Sequence, residues 1–429
     1  MRHKDSRFPT PMLVHQSRAR EFMRQCKLDA IVATSPVAVQ YFTDYYWWLD
    51  PLTKEFMSNP GASGELLPLF AVYPLEGEPA LVLNPLLAVN AADIWVRDIH
   101  VYGQAGVDWS APPRTLSPEL QRVSNLLKQP TQNATPLDAF VEIIRARGLS
   151  EGRIGIELEG LSLARQTALR ERLPRAEIRD CTNLIRLIRA VKSREEIQRL
   201  RRAAEISERA AMTCFIEARV GDRVSHLAQL YRTALAEEDA AFDHFAYAPK
   251  GLGIAIEGDY EFERGDALYM DFGCVYQQYF SDSGLTLSLG EPSRQVTERY
   301  NALRACLEAG VAAARVGVKA SEVQRAMVET LASFGSWVSF PHGHALGLEV
   351  RDYPIFVPAN NLRIQDDCID IPSDLPLEVD MVFNLEASIF QAGVDSMNIE
   401  QTFIVTANGS EPLFPQARIH PFNPDTALY

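Results

Sequence analysis

Ala267-Leu-Tyr-Met-Asp271-Phe-Gly273 and, a few residues on, Tyr279-Phe-Ser-Asp282-Ser-Gly-Leu-Thr-Leu287 read as two β-strands. Both alternate or run apolar over strand lengths, and Gly265-Asp266 marks a turn ahead of the first. Joined as an antiparallel hairpin with its loop centred on Tyr276-Gln277, they set Asp271 directly opposite Asp282. The two Cβ atoms would lie about 5 Å apart on one face. Asp is disfavoured inside strands, and like charges placed opposite each other repel. A cation between them removes both objections.

A second hairpin repeats the pattern. Met381-Val-Phe-Asn-Leu-Glu386-Ala-Ser-Ile-Phe390 and Met397-Asn-Ile-Glu400-Gln-Thr-Phe-Ile-Val405 are strand-like. Ala392-Gly393-Val394 suits a three-residue loop with Gly393 in the left-handed conformation, and that register opposes Glu386 and Glu400. Between the hairpins lies Pro341-His-Gly-His344-Ala-Leu-Gly347. Asp271, Asp282, Glu386, Glu400 and His344 together balance the charge of two divalent cations, the condition for burying an ionic cluster. Oxygen-rich ligation with a single His favours Mn²⁺ or Fe²⁺, with Co²⁺ and Zn²⁺ also compatible. Two such ions about 4 Å apart would clamp and activate a water.

Asp271-x-Gly273, Asp282, His344-x-x-Gly347, Glu386 and Glu400 resemble, in order and spacing, the creatinase, prolidase, aminopeptidase P and methionine aminopeptidase family. The resemblance covers nearly the whole chain and points to the two-domain creatinase/prolidase branch. It implies an α+β protein with a creatinase-like α/β N-terminal domain over 1–185. A pita-bread catalytic domain, an antiparallel sheet with covering helices, follows over 186–429. It further implies hydrolysis of an amide C–N bond in a dipeptide or Xaa-Pro peptide. Glu386 would be both ligand and catalytic carboxylate, and the N-terminal domain of one protomer of a homodimer would border its partner's active site.

The remaining residues fit that frame. Helices and strands alternate through the first part, from a strand at Leu28–Thr34 to one at Arg153–Glu157, with Asp138 as a helix N-cap. Val37 to Trp48 is similar to the family's N-terminal signature, with Asp44 where Gly is usual. The aromatic run Tyr45-Tyr46-Trp47-Trp48 is either core or a contact surface, and Trp47 and Trp48 are candidate substrate contacts. Pro51–Gly64 reads as loop. Leu187 to Ile197 resembles the family's inter-domain junction, and Ser193 with Glu196 forms a capping box that opens a helix over 194–218. Further helices are expected over 227–238, 293–316 and 321–334, with strands and helices in segregated runs. Gly251–Gly258 reads as a glycine-rich loop before the first hairpin, with no helix behind it to cradle phosphate.

Composition narrows the partners. The 429 residues are 47% hydrophobic and 23% charged, as in ordinary globular proteins. A net charge of −14 with no basic stretch argues against nucleic acid and anionic membrane surfaces. No apolar run is long enough to span a bilayer. Six scattered cysteines without a Cys-x-x-Cys pair suit a reducing, cytoplasmic setting.

Two departures from the family matter. Prolidases and aminopeptidases P usually carry a His ahead of the first metal aspartate; here Gly251–Tyr260 contains none, leaving Ile254, Glu257 or Asp259 in its place. They also carry one seven residues after the metal His, where this chain has Arg351. Arg cannot shuttle a proton near neutral pH, but it forks onto carboxylates and stabilises oxyanions. Arg351 is therefore a candidate substrate anchor and catalytic group, with Asp352 beside it. His342, which if extended faces the same side as His344, is a candidate catalytic group, and His244 a second stand-in. The alternatives to a dipeptidase are a non-peptide amide hydrolase like the ectoine-hydrolysing relatives, a lyase like the sulfoniopropionate-cleaving ones, and a silent binding protein.

Overall fold

Residues 12–46, 68–104, 106–110, 115–129, 133–256, 259–415 and 418–426 are described by the computed structural model. Trp47, Trp48 and the loop expected over 51–64 lie outside them. The chain divides into one unit of Met1–Arg189 with Ile364–Ile371 and a second of Ala190–Arg363 with Pro372–Tyr429.

In the first unit, short runs rich in Ile, Val and Ala form six strands: β1 (Ala30–Ala33), β2 (Phe70–Pro74), β3 (Ala80–Leu83), β4 (Asp98–Val101), β5 (Arg153–Ile156) and β6 (Glu177–Asp180). Their order is β4-β3-β2-β1-β5-β6, with β1–β5, β3–β4 and β5–β6 parallel. Helices α1 (Gln16–Gln25), α2 (Pro36–Thr43), α3 (Pro118–Lys128), α4 (Pro136–Ala146), α5 (Leu163–Arg172) and α6 (Thr182–Ala190) connect or cover them. Phe140 and Ile144 of α4 close a core over Phe70, Val82 and Ile154, with Phe70 and Phe140 stacked at 4.8 Å. Asp138 is not the N-cap of α4. Thr135 is, and Asp138 supplies the reciprocal half of the capping box. Asp44 ends α2 in the left-handed conformation at φ 62°, which explains why Gly suits this position. Tyr45 is buried and Tyr46 partly exposed.

The second unit is organised by strict alternation. Its nine-stranded sheet contains β7 (Ala241–Ala248), β8 (Ala267–Tyr276), β9 (Tyr279–Phe280), β10 (Ser283–Ser288), β11 (His342–Ala345) and β12 (Asp352–Phe356). A separate ribbon, lying mostly in the Ile364–Ile371 segment of the first unit, pairs β13 (Arg363–Gln365) with β14 (Asp370–Pro372), and the large sheet of the second unit is completed by β15 (Val382–Gln391), β16 (Asp395–Thr406) and β17 (Gly409–Pro412). The main path runs β12-β11-β15-β16-β10-β8-β7. Four helices, α7 (Arg194–Phe215), α8 (Val224–Glu237), α9 (Arg294–Ala313) and α10 (Ala320–Phe334), pack on apolar side chains of the sheet. Phe215 and Tyr231 meet Met270, Phe272 and Leu285, while Leu303 and Met327 share a core with Leu385, Ala387 and Ile399. Successive strand residues point to opposite faces. The residues next to these apolar anchors, Asp271, Gly284, Glu386 and Glu400, are therefore directed to the other face.

The first hairpin differs from expectation by one residue at its tip. Gln277 and Gln278, both at positive φ (46° and 68°), make the two-residue turn, so Val275 pairs with Phe280 and Asp271 with Gly284. Left-handed values at both central residues are the mark of the type I′ turn, which matches strand twist. Asp282 sits diagonally from Asp271 rather than opposite it. Moving the loop centre by one residue moves the pairing by two, so both aspartates keep a common face. The second hairpin has the expected register: Glu386 pairs with Glu400, and Gly393 occupies the left-handed position at φ 76°.

Candidate metal centre

Register alone builds the site. Asp271 on β8 pairs with Gly284 on β10, Gly284 with Glu400 on β16, Glu400 with Glu386 on β15, and Glu386 with His342 on β11. One line of directly opposed residues thus crosses five strands, and His344 joins it two residues further along β11. Gly284 keeps the middle open, since a Cβ there would lie 2.6 Å from the Glu400 carboxylate.

The side chains converge. Asp282 presents Oδ2 to His344 Nε2 at 3.3 Å, and His344 Nδ1 donates to the Ala345 carbonyl at 3.1 Å. Glu386 Oε1 lies 2.6 Å from His342 Nε2. Tyr269 donates to Asp271 at 3.0 Å and Asn398 to Glu400 at 3.1 Å. Asp282, Glu400 and His344 are buried. His342 donates from Nδ1 to the Phe340 carbonyl, so its short contact with Glu386 needs a second N–H. Burial opposes that charge, but Glu386 outweighs it and the imidazole is pushed up.

The carboxylates register one another. Burial pushes the Asp282 carboxyl up, reinforced by Asp271. Glu400 is pushed well up by burial and by the charges of Asp271, Asp282 and Glu386. A group of acids that suppress one another's ionisation is suited to divalent cations, which supply the missing charge. Hard oxygen donors with imidazole match Mn²⁺, Fe²⁺, Co²⁺ or Zn²⁺.

A stability prediction follows for the metal-free protein. Asp282 and Glu400, with folded pKa values above the unfolded ~4, hold protons in the native state that the unfolded chain has released. Stability then falls as pH rises from about 4 through the raised values. Bound cations relieve the repulsion. The gap in Tm between Mn²⁺-supplemented and chelator-treated protein is expected to widen from pH 5 to pH 8. A constant gap, measured by scanning calorimetry, would contradict the carboxylate cluster as its source.

Two other residues take different positions from those their sequence neighbourhood gave. Asp352 turns inward: its Oδ2 lies 3.1 Å from Lys192 Nζ, both side chains only 1% exposed, so it presents nothing to a substrate. Gly347 is part of the same contact, because a Cβ there would come within 2.9 Å of Lys192 Nζ. Arg351 next to it is exposed, close enough to His342 to oppose its charge. The glycine-rich loop is anchored by a bridge from Ala255 to Tyr247.

Sequence reading did not recognise β7. It runs antiparallel to β8 and places His244 opposite Gly273. His244 Nε2 lies 2.8 Å from Asp271 Oδ1 and 3.6 Å from Asp282 Oδ1, and Nδ1 lies 2.7 Å from Asp243. Burial opposes its charge, but Asp243 and Asp271 outweigh it and raise the imidazole to about 10. The apolar, aromatic run Phe245-Ala-Tyr247 was the one strand signal available. Gly273 is what the ring needs: a Cβ there would lie 2.8 Å from His244 Nδ1 and 2.5 Å from the Ser281 carbonyl oxygen. Gly273→Ala is therefore expected to destabilise the protein by about 1–3 kcal/mol, read as a lower denaturation midpoint. An unchanged midpoint would mean the ring moves aside freely.

This sheet, its covering helices and its line of acids define a metallohydrolase. Residues 198–407 match the model of metallopeptidase family M24, and residues 16–191 that of the creatinase/prolidase N-terminal domain. The chain belongs to the creatinase/prolidase/aminopeptidase P family. It is 25% identical over 404 residues to an Xaa-Pro dipeptidase of Lactobacillus delbrueckii subsp. lactis, covering 92% of this chain and 94% of that one. It is 28% identical over 244 residues to an Xaa-Pro dipeptidase of Pyrococcus horikoshii, covering 55% of this chain and 66% of that one. Among solved structures, a dipeptidase from Pyrococcus horikoshii superposes with a TM-score of 0.69 at 19% identity, over 94% of this chain and 99% of that one. The fold is therefore the pita-bread fold with its N-terminal companion domain. No helix among the described residues is long and apolar enough to cross a membrane.

Proposed function

We propose that this protein is a metal-dependent Xaa-Pro dipeptidase whose two ions are held by Asp271, Asp282, His344, Glu386 and Glu400. The observation that carries the reading is the line from Asp271 through Glu400 and Glu386 to His342, in a chain whose curated relatives include Xaa-Pro dipeptidases. When bound, the ions supply Lewis acidity to the scissile carbonyl and lower the pKa of the attacking water. Glu386 accepts the proton from that water and passes it to the leaving nitrogen. His342, 2.6 Å from Glu386, fixes the carboxylate and acts as a positioning residue. Arg351, exposed beside His342, forks onto the C-terminal carboxylate of a dipeptide.

We extend the reading to Mn²⁺ or Fe²⁺ as the native ions, to a cytoplasmic homodimer, and to a partner's N-terminal domain bordering the site. The test is hydrolysis of Xaa-Pro dipeptides, alongside matched Xaa-Ala dipeptides, by protein reconstituted with Mn²⁺ or Fe²⁺. Cleavage of the Xaa-Pro bond that stops on chelation is expected. Fully loaded protein that cleaves no Xaa-Pro dipeptide overturns the assignment.

A further inference from the structure

We infer that His244 is an additional metal ligand, giving the Asp271 side of the centre an imidazole of its own. This rests on the two-ion reading above and goes beyond its five ligands.

Three observations carry it. The first is aim. One ligand atom from each of His244, Asp271 and Asp282 lies within 4.8 Å of the others, a spread one cation can bridge. The second is orientation. A ligating imidazole typically gives its other ring N–H to a carboxylate or carbonyl, which fixes its tautomer and makes it more basic. His244 has that partner in Asp243 at 2.7 Å, just as His344 has the Ala345 carbonyl at 3.1 Å. The third is room. Gly273 opposite His244 has no side chain, and the ring occupies the space a Cβ would take.

Asp282 links the two halves. Its Oδ1 faces His244 at 3.6 Å and its Oδ2 faces His344 at 3.3 Å. One carboxylate thus offers each oxygen to a different imidazole, an arrangement suited to a ligand shared by two ions. The oxygen-only side becomes mixed oxygen and nitrogen. Imidazole suits Fe, Co and Zn better than it suits the hardest cations, so His244 moves the preference of that side in their direction.

The test uses the full-length protein and Co²⁺. Calorimetric titration gives the number and affinity of bound ions. Proton NMR of the Co²⁺-loaded protein shows each ligated imidazole N–H as a strongly shifted, exchangeable resonance. Two such resonances are expected in the wild type, from His244 and His344, and one in His244→Asn. That variant is expected to lose at least about 100-fold in affinity for one ion, and Asp243→Asn, which keeps the ring, about 10–100-fold. Asp243→Asn also serves as the reporter if His244→Asn does not fold.

Two shifted resonances persisting in His244→Asn overturn the assignment. So does one resonance in wild type carrying two ions. Equal or tighter binding by folded His244→Asn would mean that the imidazole merely stands in for a cation. Wild type that takes up no Co²⁺, Mn²⁺ or Fe²⁺ overturns the two-ion reading itself, a result distinct from the others.

Discussion

Glu386→Gln is expected to lower kcat on an Xaa-Pro dipeptide by about 10²–10⁴-fold. The amide keeps the shape of the carboxylate and one ligating oxygen, but it cannot take a proton from water. Glu386 stands between Glu400 and His342 in the sheet register, and its Oε1 is held 2.6 Å from the imidazole. The fall should appear mainly in kcat, because the proposed substrate anchor is Arg351 rather than Glu386. Metal content measured on the same sample separates lost chemistry from lost ions. A variant that keeps two ions and turns over within tenfold of wild type would exclude Glu386 as the proton carrier. His342→Gln should lower kcat less, since it loosens the carboxylate without removing it.

Lys192→Met is expected to cost about 3–5 kcal/mol of stability, because it leaves the Asp352 carboxylate buried without its ammonium partner. In a unit of this size that corresponds to a Tm drop of roughly 6–20 °C. Both side chains are 1% exposed, so water cannot replace the lost partner. The double variant Lys192→Met/Asp352→Leu should recover much of the loss, since a buried pair replaced by apolar groups is often nearly neutral. A single variant within 1 kcal/mol of wild type in calorimetry would show that the pair is dispensable.

The acids were legible because strands alternate. Asp271 and Glu386 each interrupt a largely apolar run, Glu400 is opposed to Glu386 by the hairpin register, and a shared face with a cation accounts for all three. The exact tip of the first hairpin was hidden, because Gln277 and Gln278 adopt positive φ without the Asn or Gly that usually announces it. The error was harmless to the site, since a shift of two positions preserves the face. β7 was obscured for a different reason: Asp243 and His244 are adjacent polar residues, and an irregularity between Phe242 and His244 breaks the period. Asp352 shows a limit of local reading. Its partner Lys192 is 160 residues away in the chain, and no pattern near Asp352 announces it.

The line of opposed residues from β8 to β11 also orders events in time. Its members come from Asp271 through to Glu400, and Glu400 reaches Gly284 only when β16 has inserted between β15 and β10. On the proposed ligand set, a nascent chain still lacking β16 has an incomplete coordination sphere. On that set, a chain cut before residue 395 would lack Glu400, so full uptake of two ions would report that β16 has joined the sheet.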